Sequence, residues 1–175
     1  MRKLSHEEIL KTKPSVEEVK NKKRNPIFVL LDNVRSLHNI GAIFRTADSI
    51  LAEKIYLCGI TAKPPREEID KTALGAVEVV PWEYNDDASE VIEELKEKGV
   101  QIIAVELAEG AKKYSEFDYE FPVCLVLGHE VEGISDEVME LVDGAVYIPM
   151  LGRANSLNVS TCYGIVAHEV LSKYK

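Results

Sequence analysis

The chain has 175 residues, enough for one domain with a sizeable core, and its 46% hydrophobic and 29% charged content is that of an ordinary globular protein. No apolar run approaches the roughly 20 residues needed to cross a bilayer. The net charge of −9 argues against a generally nucleic-acid-binding surface, yet residues 1–24 hold eight Lys/Arg against four Asp/Glu, so basic charge gathers at one end.

Residues 1–8 contain no apolar core of a signal peptide, and the expected location is the cytoplasm. Ser5-x-x-Glu8 and Ser15-x-x-Glu18 are capping-box patterns, each suited to starting a short helix, with Pro14 between them. Lys20, Lys22, Lys23 and Arg24 follow as a basic knot, either a phosphate-contacting arm or a solvated extension. Residues 1–25 thus read as a short basic helical extension ahead of a domain over 26–175. Continuous apolar runs occupy residues 27–31, 54–60, 77–80, 101–107, 123–127 and 145–150. Unbroken rather than alternating apolarity predicts strands covered on both faces, as in a parallel sheet.

Helical patterns fall between these runs. Ile43, Ala47, Ile50 and Leu51 share one face of a helix from about Asn39. Val91, Ile92 and Leu95 line another, ended by Gly99, with Lys96 and Lys98 in its last turn as the helix dipole favours. Val138, Leu141 and Val142 suggest a short helix closed by Gly144, and Val159, Cys162, Tyr163, Val166 and Val170 form the stripe of a last one starting near Ser156. Strands alternating with helices predict an α/β fold with a mainly parallel sheet and helices on both faces. Residues 61–68, with Pro64-Pro65, form the longest loop candidate.

Arg45 lies two positions from Ile43 and from Ala47, so it points away from that helix's apolar face. Taken alone it reads as a solvated arginine paired with Asp48 at i+3. Glu130 sits directly after run 123–127, between Gly128 and Gly133, which suits a backbone bent tightly beside a ligand. Asn155 or Ser156 can cap the last helix, whose N-terminus also favours an anion such as phosphate. Cys58, Cys124 and Cys162 are an odd count without CxxC spacing, each in an apolar run, and read as small buried residues. Four scattered histidines, His6, His38, His129 and His168, predict no metal site. Run 27–31 leads into Asp32-Asn33-Val34-Arg35 with no GxGxxG, and no P-loop occurs.

Three segments, in order, carry a family resemblance: Asn39-Ile40-Gly41-Ala42-Ile43-Phe44-Arg45-Thr46-Ala47, Gly128-His129-Glu130-Val131-Glu132-Gly133, and the stretch from Tyr147 through Ser156-Leu157-Asn158 to Thr161. The chain resembles the SpoU class of the SPOUT methyltransferases, RNA-modifying enzymes whose C-terminal region is tied in a deep trefoil knot. The resemblance spans Leu30 to Val170. It implies methylation of a ribose 2'-hydroxyl of tRNA or rRNA with S-adenosylmethionine as cofactor. It puts the catalytic arginine of motif one on Arg45 and its leading asparagine on Asn39, a functional position of the GxExxG pattern on Glu130, and residues that organise the arginine and the substrate on Ser156 and Asn158. It places the cofactor in loops of motifs two and three, against Leu127, Gly128, Ile148, Met150 and Leu157. A homodimer, with the arginine completed across the interface, is implied as well, and neither a metal nor a membrane.

The arginine's role stays open between general base and charge stabiliser. A guanidinium with a pKa above about 12 is a poor proton acceptor, which favours holding a phosphate and stabilising charge on the 2'-oxygen. A SPOUT enzyme methylating a base nitrogen and a noncatalytic RNA-binding or assembly protein are the alternatives. The Ser156-Leu157-Asn158 triplet with Arg45 argues against the first, and the intact polar set against the second. The shortness of the N-terminal extension tilts the substrate toward tRNA.

Overall fold

A computed structural model describes residues 1–174. Seven strands form one sheet: β1 (Asn25–Asp32), β2 (Ala52–Cys58), β3 (Trp82–Asn85), β4 (Gln101–Val105), β5 (Lys112–Lys113), β6 (Val123–Leu127) and β7 (Gly144–Tyr147). Their order is β3-β2-β1-β6-β4-β7-β5 and every pairing is parallel. The helices are α1 (His6–Thr12), α2 (Val16–Lys20), α3 (Leu37–Ser49), α4 (Glu67–Ala73), α5 (Ala76–Val79), α6 (Ala88–Glu97), α7 (Asp136–Met139) and α8 (Val159–Tyr174).

The sheet has a core on each side, which is why its strands need no polar alternation. Val29 and Leu31 of β1 pack into a core shared with α3, α4, α5 and α8. Leu30, between them, enters a second core with α6 and α7. Central strand β6 is buried at all five positions. Most of the expected stripe on α8 belongs to the first core: Tyr163, Val166 and Val170 are fully buried, with Val159 packed at its margin, but Cys162, expected to be buried with them, is only partly covered and lies outside that core. The Tyr163 hydroxyl is buried there with no hydrogen-bond partner among the described residues.

Several local expectations need correction. Residues 77–80 are not a strand; they fall on and just after α5, and β3 follows beyond Pro81. Four apolar residues are too few for periodicity to separate a helical turn from a strand. Strand β5 is a two-residue edge strand of lysines without an apolar signature, as edges often are. Helix α7 stops at Met139, short of Leu141 and Val142, and α8 starts at Val159 rather than Ser156. The longest connection is 148–158, not 61–68.

Both capping boxes form. Glu8 N–H donates to Ser5 Oγ at 3.2 Å while Ser5 N–H donates to Glu8 Oε2 at 2.7 Å, and Ser15 and Glu18 repeat the pattern. Even so, α1 and α2 bury none of their residues. Arg24 leaves the basic knot: its guanidinium turns inward and donates to the Ala52 carbonyl at 2.9 Å and to the Val79 carbonyl. It ties the start of β2 to the end of α5, leaving Lys20, Lys22 and Lys23 as the outward cations. Gly41 sets the spacing of α3 on α4, because a Cβ there would overlap Thr72 Oγ1 and the Ile69 carbonyl oxygen.

Candidate active site

In a parallel sheet, loops and helix N-termini converge at the strands' carboxyl ends, and ligands bind there. The neighbouring strands β6, β4 and β7 end around a cavity of about 690 Å³, within the range of small-molecule sites. Leu127, Gly128, Ile148, Met150 and Leu157 all line it, and so do Glu130, Ser156 and Asn158. A Cβ on Gly128 would overlap the backbone of Gly133 and Ile134, so the loop after β6 folds tightly onto itself. Reciprocal hydrogen bonds at 2.9 Å between the His129 and Gly133 backbones close it, with Gly133 at φ +76°. His129 Nδ1 faces the Val131 and Glu132 N–H groups at 3.2 and 3.1 Å and stiffens the tip.

A polar chain joins the three motif segments. Asn39 Nδ2 donates to Glu130 Oε1 at 2.9 Å, and Asn39 Oδ1 accepts from Asn158 Nδ2 at 2.9 Å. Glu130 also accepts from the Arg35 and Ser36 N–H groups at 3.0 and 2.9 Å, at the start of α3. Burial opposes ionisation of Glu130, but the donors from Asn39, Ser36 and Arg35 together outweigh it and hold the carboxyl below the usual carboxylate range. Asn158 Oδ1 caps α8 by accepting from the Ser160 N–H at 3.0 Å and Ser160 Oγ at 2.6 Å. The cap is therefore Asn158, not Asn155 or Ser156; Ser156 is exposed and lines the cavity.

Arg45 stands apart. It is exposed on α3 and lines a separate hollow with Ala42, Thr46, Ser49, Lys71 and Thr72. Six residues beyond Asn39, it lies about 9 Å further along the helix axis. No ion pair with Asp48 forms among the described residues. The site residues named from the sequence are thus brought together within one chain, except for Arg45.

Sequence reasoning missed Glu106, which lines the cavity just past β4. The available signal was a lone carboxylate interrupting apolar run 101–107. Burial pushes the Cys58 thiol up to about 12 and raises Cys124 and Cys162 as well, so none is a ready thiolate. No cluster of His, Cys, Asp and Glu suited to a metal occurs among the described residues, and no described helix is long and apolar enough to cross a membrane.

The fold and cavity define a parallel α/β protein with a candidate ligand cavity at the strand carboxyl ends, joined to the first motif helix by a buried asparagine. The chain belongs to the SpoU rRNA Methylase family, whose pattern it matches over residues 26–168. It is 35% identical over 154 residues to the tRNA (guanosine(18)-2'-O)-methyltransferase of Thermus thermophilus, covering 88% of this chain and 78% of that one. The enzyme of the same name from Aquifex aeolicus is 36% identical over 155 residues, covering 88% and 72%. Among solved structures, the A. aeolicus TrmH/SpoU tRNA modifying enzyme superimposes with a TM-score of 0.80 at 34% identity, over 90% of this chain and 80% of that one. An AdoMet-bound rRNA methyltransferase from Sinorhizobium meliloti gives 0.81 at 32% identity, over 89% and 60%.

Proposed function

We propose that the protein is an S-adenosylmethionine-dependent methyltransferase acting on a ribose 2'-hydroxyl of tRNA. The observation that carries this reading is one cavity lined by motifs two and three and tied through Glu130, Asn39 and Asn158 to the helix bearing motif one. S-adenosylmethionine supplies a methyl group on a positively charged sulfur. The cavity suits it: Leu127, Ile148, Met150 and Leu157 offer apolar walls, the tight loop at Gly128 offers backbone polar groups, and the charged side chains of the lining, Glu106 and Glu130, are carboxylates facing a cation. Glu130, Asn39 and Asn158 fix the loop that carries this wall. Ser156, which is exposed and lines the cavity, hydrogen-bonds substrate in this reading.

Arg45 holds the neighbouring phosphate and stabilises charge on the 2'-oxygen as its proton leaves. Since Arg45 lies outside its own chain's cavity, the reading requires a second copy, in a homodimer where each Arg45 serves the partner's site. Apolar side chains around the cavity support this. Leu107 and Val131 line it yet remain 72% and 87% exposed, and Leu151, beside the lining residue Met150, is fully exposed. The chain from about Leu125 through α8 forms the family's trefoil knot in this account. The extension ahead of the domain ends at Lys23, since Arg24 and Asn25 are already tied into the fold, and Lys20, Lys22 and Lys23 are its phosphate contacts. Incubating tRNA transcripts with labelled cofactor and resolving the digested nucleosides by mass spectrometry tests the reading. A 2'-O-methylated nucleoside is expected, with guanosine 18 the first position to map. Label on a base, or none, overturns it.

A further inference from the structure

Two carboxylates line the cavity, Glu106 and Glu130, and among the described residues no lysine or arginine does. They differ in remaining hydrogen-bonding capacity. Glu130 is occupied by Asn39, Arg35 and Ser36. Glu106 accepts from the Leu107 N–H at 2.9 Å on Oε1 and makes a long 3.4 Å contact with the Ile134 N–H on Oε2. A carboxylate offers about four lone-pair sites, so Glu106 retains acceptor capacity, and no cation pairs with it among the described residues. The fold makes room for it: a Cβ added to Gly133 would stand 2.7 Å from Glu106 Oε2. Its charge also reaches the wall formed by α8, where burial raises the Cys162 thiol most and Glu106 raises it further.

We infer that Glu106 makes the cavity selective for the sulfonium form of the cofactor over the neutral thioether that remains after methyl transfer. The inference rests on the cofactor assignment above. S-adenosylmethionine and S-adenosylhomocysteine differ by one methyl group and one positive charge at sulfur. A cavity of this volume is on the order of 11 Å across, so a bound sulfonium lies within about one Debye length of Glu106, and the partial burial of that carboxylate reduces the screening between them. The attraction vanishes when the sulfur becomes neutral. Glu106 therefore favours capture of fresh cofactor and release of the spent one, as a specificity residue rather than a catalytic one.

Calorimetry on the full chain tests this with S-adenosylmethionine, S-adenosylhomocysteine and an analogue bearing an amine in place of the sulfonium methyl. Glu106→Gln preserves shape and removes charge. It should weaken S-adenosylmethionine about tenfold and the amine analogue similarly, while the thioether changes less than about twofold. Glu106→Asp retains charge and should keep most of the wild-type preference. Equal weakening of all three ligands by Glu106→Gln, loss of all binding, or an unchanged preference would each overturn the inference. Failure of the underlying cofactor reading is distinguishable, because the wild-type protein itself would then bind neither S-adenosylmethionine nor its thioether.

Discussion

Asn39 uses both ends of its amide to join segments far apart in sequence, and at 9% exposure it does so nearly out of water. Such a buried amide is costly to leave half satisfied, so its bonds fix the relative position of α3, the loop after β6 and the start of α8. Glu130 gives the network a pH dependence. Its folded-state pKa is lowered, so its stabilising contribution is complete above the ordinary glutamate value of about 4.3 and is lost as pH falls through the lowered folded value. Glu130→Gln should be less stable than wild type at neutral pH, with the difference shrinking below about pH 4. Denaturant midpoints measured across that range check this; a constant difference would contradict it. Arg45 and Leu157 should separate chemistry from binding. Arg45→Ala is expected to slow methyl transfer about a hundredfold or more, leaving cofactor affinity nearly unchanged, and lysine should rescue poorly. Leu157→Arg should abolish cofactor binding first. Calorimetry with single-turnover assays on both decides, and the reverse pattern would show the roles to be misassigned. Asn39, Glu130 and Asn158 were legible in the sequence only through their motifs; no spacing rule announces that one amide will connect residues 91 and 119 positions away.

At the scale of elements, the long parallel strands and the amphipathic helices were legible because burial on both faces leaves a continuous apolar run, and one buried face leaves a stripe. Strands β3 and β5 and helices α4 and α5 were not. Strand β5 is set by pairing with β7, a long-range event without local signature, and α5 is a single turn of four residues. Two substitutions probe the packing. Gly41→Ala places a Cβ against the Ile69 carbonyl and should cost about 1–3 kcal/mol as α3 and α4 are pushed apart. Chemical denaturation would reveal it, and a neutral effect would mean that the helices separate freely. Tyr163→Phe removes a buried hydroxyl that has no partner among the described residues, so it should be neutral or stabilise by about 1 kcal/mol. A clear loss of stability would show that the hydroxyl is engaged.

At the scale of the molecule, the cavity and Arg45 line different hollows of one chain, and the proposed function needs both. A two-fold dimer resolves this, because one contact then completes two sites. It should bury at least the roughly 1,200 Å² of a stable interface. The most direct test mixes two inactive variants, Arg45→Ala with an intact cavity and Leu157→Arg with an intact arginine, and assays tRNA for 2'-O-methylated nucleoside. Each alone should be inert. After subunit exchange, mixed dimers hold one complete site, and activity should return to about a quarter of the wild-type level. A mixture as inert as its parts, or one whose product carries the methyl group on a base, would contradict the account.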